Sequence, residues 1–182
     1  LLEKMIKTCS ECFSSRKINI GMDEAELTGR GKYLNRNGYL PVREIMMTHL
    51  NKVMEICHKY GFAPMMWSDM FFKMLNNGGY HEEDLTGIDK VREKIPEDLE
   101  LIYWDYYSRS KEKYHRMLEK HELLTDHIGF AGGAWKWNGF APLCVHSAYA
   151  SREALPCCKE HGIKHVLVTA WGDNGAECSS FV

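Results

Sequence analysis

Stretches with apolar residues three and four apart alternate along this chain with short, nearly unbroken apolar runs, and that alternation restricts the fold more than any single motif. Residues 2–13 read as an amphipathic helix, and Lys17–Gly21 (KINIG) as a buried strand. From Val42 to Tyr60 the apolar positions Val42, Ile45, Met46, Leu50, Val53, Ile56, Cys57 and Tyr60 predict a longer helix. Pro41 stands just before it, where a proline is tolerated, and Gly61 closes it. Further strands are expected at Ala63–Trp67, Leu99–Trp104, Ile128–Trp135 and His165–Trp171. Helices are expected around Ile88–Lys94, at Ser110–Leu123 and at Ser147–His161, the last one ended or kinked by Pro156. Apolar strands alternating with helices imply an α/β fold with a parallel sheet, either doubly wound or a (β/α) barrel. The Gly-Gly-Ala-Trp stretch at 132–135 has neither of the phosphate-binding glycine spacings, which argues against a nucleotide site.

In parallel α/β folds the C-terminal ends of the strands share the rim where ligands bind. Here those ends carry Asp23 and Glu24, Trp67 with Asp69, Trp104 with Asp105, Trp135 with Trp137, and Trp171 with Asp173. All 5 tryptophans of the chain belong to this set. Indoles stack on the C–H faces of sugars and carboxylates accept sugar hydroxyls, so a rim of this composition suits a carbohydrate. Asp105 should point away from the face that carries Trp104 and Tyr106, so loop bracing or helix capping competes with ligand contact there.

Composition narrows the partners. A formal net charge of −2 over 182 residues gives no broad basic footprint for nucleic acid. No apolar run reaches the length that crosses a bilayer, so no membrane partner is expected. Seven cysteines are an odd number, and no second C-x-x-C follows Cys9 and Cys12, so these two and the vicinal Cys157–Cys158 read as thiols packed on helices. That usage favours a reducing, cytoplasmic setting. His58, His115, His121 and His161 fall on the polar faces of helices without ligand spacing, and no metal is expected. Arg30, in the Gly-Arg-Gly loop, is expected to brace the nearby acids.

Two adjacent carboxylates in extended chain face opposite ways, so Asp23 and Glu24 cannot flank one glycosidic bond as acid and nucleophile. The stretches NIGMDEAELTGRGKYL, MMWSDMFF, YWDYY, FAGGAWKWNGF and TAWGDNGAE, in that order, resemble the catalytic domain of glycoside hydrolase family 20. These are the β-N-acetylhexosaminidases, and the likeness is greatest to the exo-acting, hexosaminidase D-like branch. The resemblance implies a (β/α)8 TIM barrel of which this chain holds strands four to eight, as one partial catalytic domain. It also implies a substrate-assisted retaining mechanism without a cofactor, in which the sugar's own acetamido oxygen is the nucleophile. Glu24 would then be the acid and base, and Asp23 would orient the acetamido group. Trp67, Trp104 and Trp171 would wall the pocket, and Asp173 would bind hydroxyls at the non-reducing end.

Many members carry a tyrosine shortly after the seventh-strand tryptophan, whereas Lys136 and Trp137 follow Trp135 here. Tyr106 is the expected substitute, with Tyr107 as the alternative, and no residue matches the family's first-strand arginine. The implied partner is a glycan ending in N-acetylglucosamine or N-acetylgalactosamine. A barrel of about 250 residues is larger than this chain. The chain is therefore expected to pair with a missing N-terminal half or with another copy, and to be nearly inactive alone. A non-catalytic glycan-binding module and a different barrel glycosidase are the rival readings.

Overall fold

A computed structural model describes residues 1–76, 79–80, 83–137 and 141–173, except the side chain of Asn76. Asn138, Gly139 and Phe140, together with residues 174–177, belong to the matched motifs but lie outside the described residues. Two compact units divide the chain, Leu1–Leu101 and Ile102–Val182.

In the first unit α1 (Leu2–Cys12) precedes β1 (Lys17–Asn19), and α2 (Lys32–Asn37) precedes α3 (Val42–Lys59). Then come β2 (Ala63–Trp67), α4 (Asp69–Asn76) and α5 (Ile88–Arg92). The expected periodicity of α3 is realised: Met46, Leu50, Val53, Met54 and Cys57 are its buried residues. Val53 and Cys57 form a core with Ile6 of α1 and Phe62, and Ile18 and Ile20 pack against it. β1 pairs with β2 in parallel, with Ile18 opposite Pro64 and Asn19 opposite Met65.

The division between units falls inside β3 (Glu100–Trp104). The second unit continues with α6 (Lys111–Glu122), β4 (Ile128–Gly133), α7 (Cys144–Glu160) and β5 (Val166–Thr169). Ser110 caps α6 by accepting the Lys113 N–H at 3.2 Å, as its hydroxyl suits it to do. The fully buried Tyr103 ring anchors this core, 5.4 Å from Phe130 and 4.8 Å from His121. His121 therefore departs from the polar-face expectation. It is 0% exposed and its Nδ1 hydrogen-bonds the Met117 carbonyl at 2.6 Å.

Pro156 does not end α7, which runs through it to Glu160. The helices stand where expected, and α2 and α4 are additions, being too short for a periodic signal. Among the described residues no helix is long and apolar enough to cross a membrane.

The sheet corrects the expected fold class. Its order is β1-β2-β3-β4-β5, five strands added in sequence, with β4 and β5 also parallel. A (β/α)8 barrel needs eight strands, with the last hydrogen-bonded to the first, whereas β1 and β5 stand at the two ends of this order. The described chain is thus a five-stranded parallel α/β sheet and not strands four to eight of a TIM barrel. The doubly wound alternative fails as well, because a sequential order has no point where the direction of strand addition reverses.

Candidate functional site

In the first unit the segment after β1 leaves the sheet on strained backbone. Gly21 has φ +74°, and Met22 at 70° and Glu24 at 46° are the positive-φ non-glycine residues of the described chain. Side-chain-bearing residues visit this region rarely and at a cost, so two within three positions must be held by their surroundings. Three hydrogen bonds do so. The Asn19 side chain accepts the Gly21 N–H at 2.8 Å, and the Trp67 N–H reaches the Gly21 carbonyl at 3.4 Å. The Asp69 carboxylate accepts the Glu24 N–H at 3.0 Å. Asp23 and Glu24 are both exposed, whereas Trp67 is buried.

Asp69 is 0% exposed, and Lys73, one turn along α4, holds it at 3.5 Å. Lys73 also pairs with Glu26 at 2.6 Å. Burial of the Lys73 ammonium pulls its pKa down, but the Glu26 hydrogen bond and the charge of Asp69 outweigh that and raise it. Beside this turn a cavity of about 1100 Å³ is lined by Ala25, Glu26, Arg30, Tyr39, Arg43 and Lys73, among others. Arg30 lines it as an exposed side chain, and among the described residues it makes no ion pair with Asp23, Glu24 or Glu26, contrary to the bracing role expected of it.

In the second unit the strand-end aromatics form one cluster. Trp104 stacks on Tyr106 with centroids 5.5 Å apart and planes 24° apart, so these two share a face as their i, i+2 spacing requires. Tyr106 lies 5.3 Å from Trp137, and Trp135 lies 4.8 Å from Trp137 and 5.3 Å from Tyr107. The Trp135 indole N–H and His146 Nε2 both hydrogen-bond the Tyr106 carbonyl, at 2.6 and 2.8 Å. Gly133 makes room for this wall. A Cβ there would stand 2.7 Å from the Trp137 ring, closer than real contacts allow, and 3.0 Å from the Tyr106 ring, tighter than nearly all of them. Tyr106 is 6% exposed and Tyr107 55%.

Asp105, between them, is a loop brace. Its carboxylate accepts the Tyr107 and Ser108 N–H groups at 2.8 and 2.9 Å and the Ser108 hydroxyl at 2.6 Å, and it is 2% exposed. Trp171, 38% exposed, and the exposed Asp173 follow β5.

The structure thus ties Gly21 to Trp67 and Glu24 to Asp69 by hydrogen bonds, and brings Trp104 and Tyr106 together with Trp135. Sequence reasoning did not find His146, which arrives on α7 with no motif around it, or the slot at Gly133. A GG pair in a strand is its only trace.

No family model and no curated protein matches the chain. Among solved structures, it is similar to an inactive mutant of the glycoside hydrolase family 20 exo-β-N-acetylglucosaminidase from Vibrio harveyi, with a TM-score of 0.50 and 12% identity. The likeness covers 93% of this chain and 26% of that one, so the chain spans about a quarter of its neighbour's length. At that identity it is a likeness of fold.

Proposed function

We propose that this chain carries the acid–base segment of a glycoside hydrolase acting on terminal β-linked N-acetylhexosamine. The observation that carries the reading is the exposed Asp23–Glu24 pair on a strained turn at the C-terminal end of a parallel strand. Strain of this kind clusters at functional sites, and strand C-termini are where α/β folds bind ligands. The fold likeness to a family 20 exo-enzyme agrees with it.

In this reading the substrate's acetamido oxygen attacks the anomeric carbon while Glu24 gives its proton to the leaving oxygen. Asp23 holds the acetamido N–H and balances the positive charge of the cyclic intermediate. Glu24 then takes a proton from water, which opens that intermediate with net retention. The nucleophile comes from the sugar, so adjacent carboxylates suffice. Within the second unit the half-buried Trp104 and Trp135 offer indole faces for sugar rings, and the exposed Trp171 and Asp173 offer further contacts.

Glu24→Gln in the full-length protein should lower kcat on a chromogenic β-N-acetylglucosaminide by roughly 100- to 10,000-fold, the usual scale of general acid–base catalysis. Asp23→Asn should also slow turnover, and a thiazoline mimic of the intermediate should inhibit. Near-normal turnover by the Gln variant would sink the assignment. The second reading is a glycan-binding module without catalysis, favoured by the size of the aromatic cluster alone. It predicts saturable sugar binding with no hydrolysis of either the acetamido substrate or its hydroxyl analogue.

A further inference from the structure

We propose that Asp69 is a positioning residue for Glu24, and that its carboxylate holds the proposed acid by the backbone rather than by the side chain. This rests on the hydrolase reading above. Glu24 sits at φ 46° and the neighbouring Met22 at 70°, conformations that the sequence Met-Asp-Glu does not favour by itself. Something outside the turn has to supply the energy that keeps them there. The turn is exposed along Asp23 and Glu24, so apolar packing on these side chains does not supply it.

Among the described residues, a 3.0 Å hydrogen bond from its N–H to Asp69 Oδ2 reaches the Glu24 backbone from outside its own turn. An acceptor that is both ionised and removed from water binds an N–H more strongly than water does. Asp69 is 0% exposed, and its Oδ2 lies 3.5 Å from the Lys73 ammonium.

Three features show the carboxylate to be aimed and not merely buried. Asp69 opens α4 directly after β2, so its position is set by the same strand whose Trp67 N–H fixes the Gly21 carbonyl at 3.4 Å. Lys73 lies one turn along α4, and its ammonium pairs with the same Oδ2 that accepts the Glu24 N–H, so the accepting oxygen is itself held in place by an ion pair. Lys73 reaches on to Glu26 at 2.6 Å, so the acid's amide and the residue two past it are both tied to α4. A general acid misplaced by about an ångström loses roughly a hundredfold in rate, which is the leverage such a clamp has.

The test separates the acceptor from the charge. Asp69→Asn keeps a carbonyl oxygen for the Glu24 N–H but removes the carboxylate facing Lys73, which keeps Glu26 as a partner, while Asp69→Ala removes both. Positioning predicts that Asp69→Ala lowers kcat roughly tenfold to a hundredfold with KM changed less than about threefold, and speeds hydrogen exchange at the Glu24 amide. Asp69→Asn should then restore kcat and amide protection to within about threefold of the unsubstituted protein, although its stability falls with the lost ion pair. Parallel loss of kcat and protection in both variants would overturn the proposal, and so would unchanged protection in Asp69→Ala. Should Asp69→Ala fail to fold, the Asn variant decides alone, because a purely structural ion pair predicts loss there and an acceptor predicts retention. If the unsubstituted protein hydrolyses nothing, the hydrolase reading fails, while exchange at the Glu24 amide still tests the clamp.

Discussion

Met22 and Glu24 occupy a region of backbone space that costs an L-residue roughly 1–2 kcal/mol. At Met22 the cost is separable from chemistry, because its side chain takes no part in the proposed reaction. Met22→Gly, which removes the steric conflict but adds chain entropy, should leave stability unchanged or raise it by up to about 1 kcal/mol in urea unfolding, against the loss expected for an ordinary methionine truncation. A different residue bears on stability at alkaline pH. Burial of the Cys158 thiol pushes its pKa from 9.0 up to about 12. Below pH 9 both folded and unfolded thiols keep their proton and no stability is lost; from there to about 12 the unfolded chain releases a proton that the folded chain retains. Stability should therefore fall across that window, and Cys158→Ala should flatten the fall in unfolding series taken between pH 8 and 11. The acidic pair itself was legible, since two acids at a strand end stand out in any reading. Its left-handed backbone was not, because the sign of φ there is fixed by Asp69 and Trp67, more than 40 residues further along the chain.

At the scale of elements, α6 and α7 are tied by a row of polar contacts. Lys111 holds Glu160 at 2.8 Å, His115 contacts His161 at 2.8 Å, and His161 contacts Glu122 at 2.7 Å. Within α7, Pro156 removes the N–H that would reach the Arg152 carbonyl, and it is exposed, so replacing it disturbs no core. Pro156→Ala should raise stability by about 1–3 kcal/mol, read as a higher denaturant midpoint with an unchanged slope. A proline in a sequence argues for a break. Here the helix survives because Ala150, Ala154, Cys157 and Cys158 are buried on both sides of it, and packing outweighs the lost bond. The long helices and the strands were legible for the opposite reason: in α3 the buried positions repeat at three and four over 18 residues. The six residues of α2 bury nothing and leave no pattern to find.

For the whole molecule, the order of elements could be read from local patterns, whereas the way the sheet ends could not. Each strand announces itself by its own apolar run, but closure depends on which strands stand beside β1 and β5, and no residue in either records that. The expectation that these are strands four to eight of an eight-stranded barrel came with the family resemblance, and the described five-stranded order does not bear it out. The aromatic residues are a middle case: their address at strand ends was legible, their mutual contacts only in part. Those contacts have an optical consequence. Indoles as close as those of Trp135 and Trp137, 4.8 Å apart and inclined at 30°, couple their strong ultraviolet transitions, so far-ultraviolet circular dichroism should carry a paired indole signal beside that of the backbone. Gly133→Ala, whose added carbon would stand 2.7 Å from the Trp137 ring, should cost about 1–3 kcal/mol and weaken that signal while the infrared amide bands, which report the backbone alone, stay the same. A single hydrogen atom at position 133, where any other residue has a carbon, thus decides whether two indoles can lie close enough to absorb as a pair.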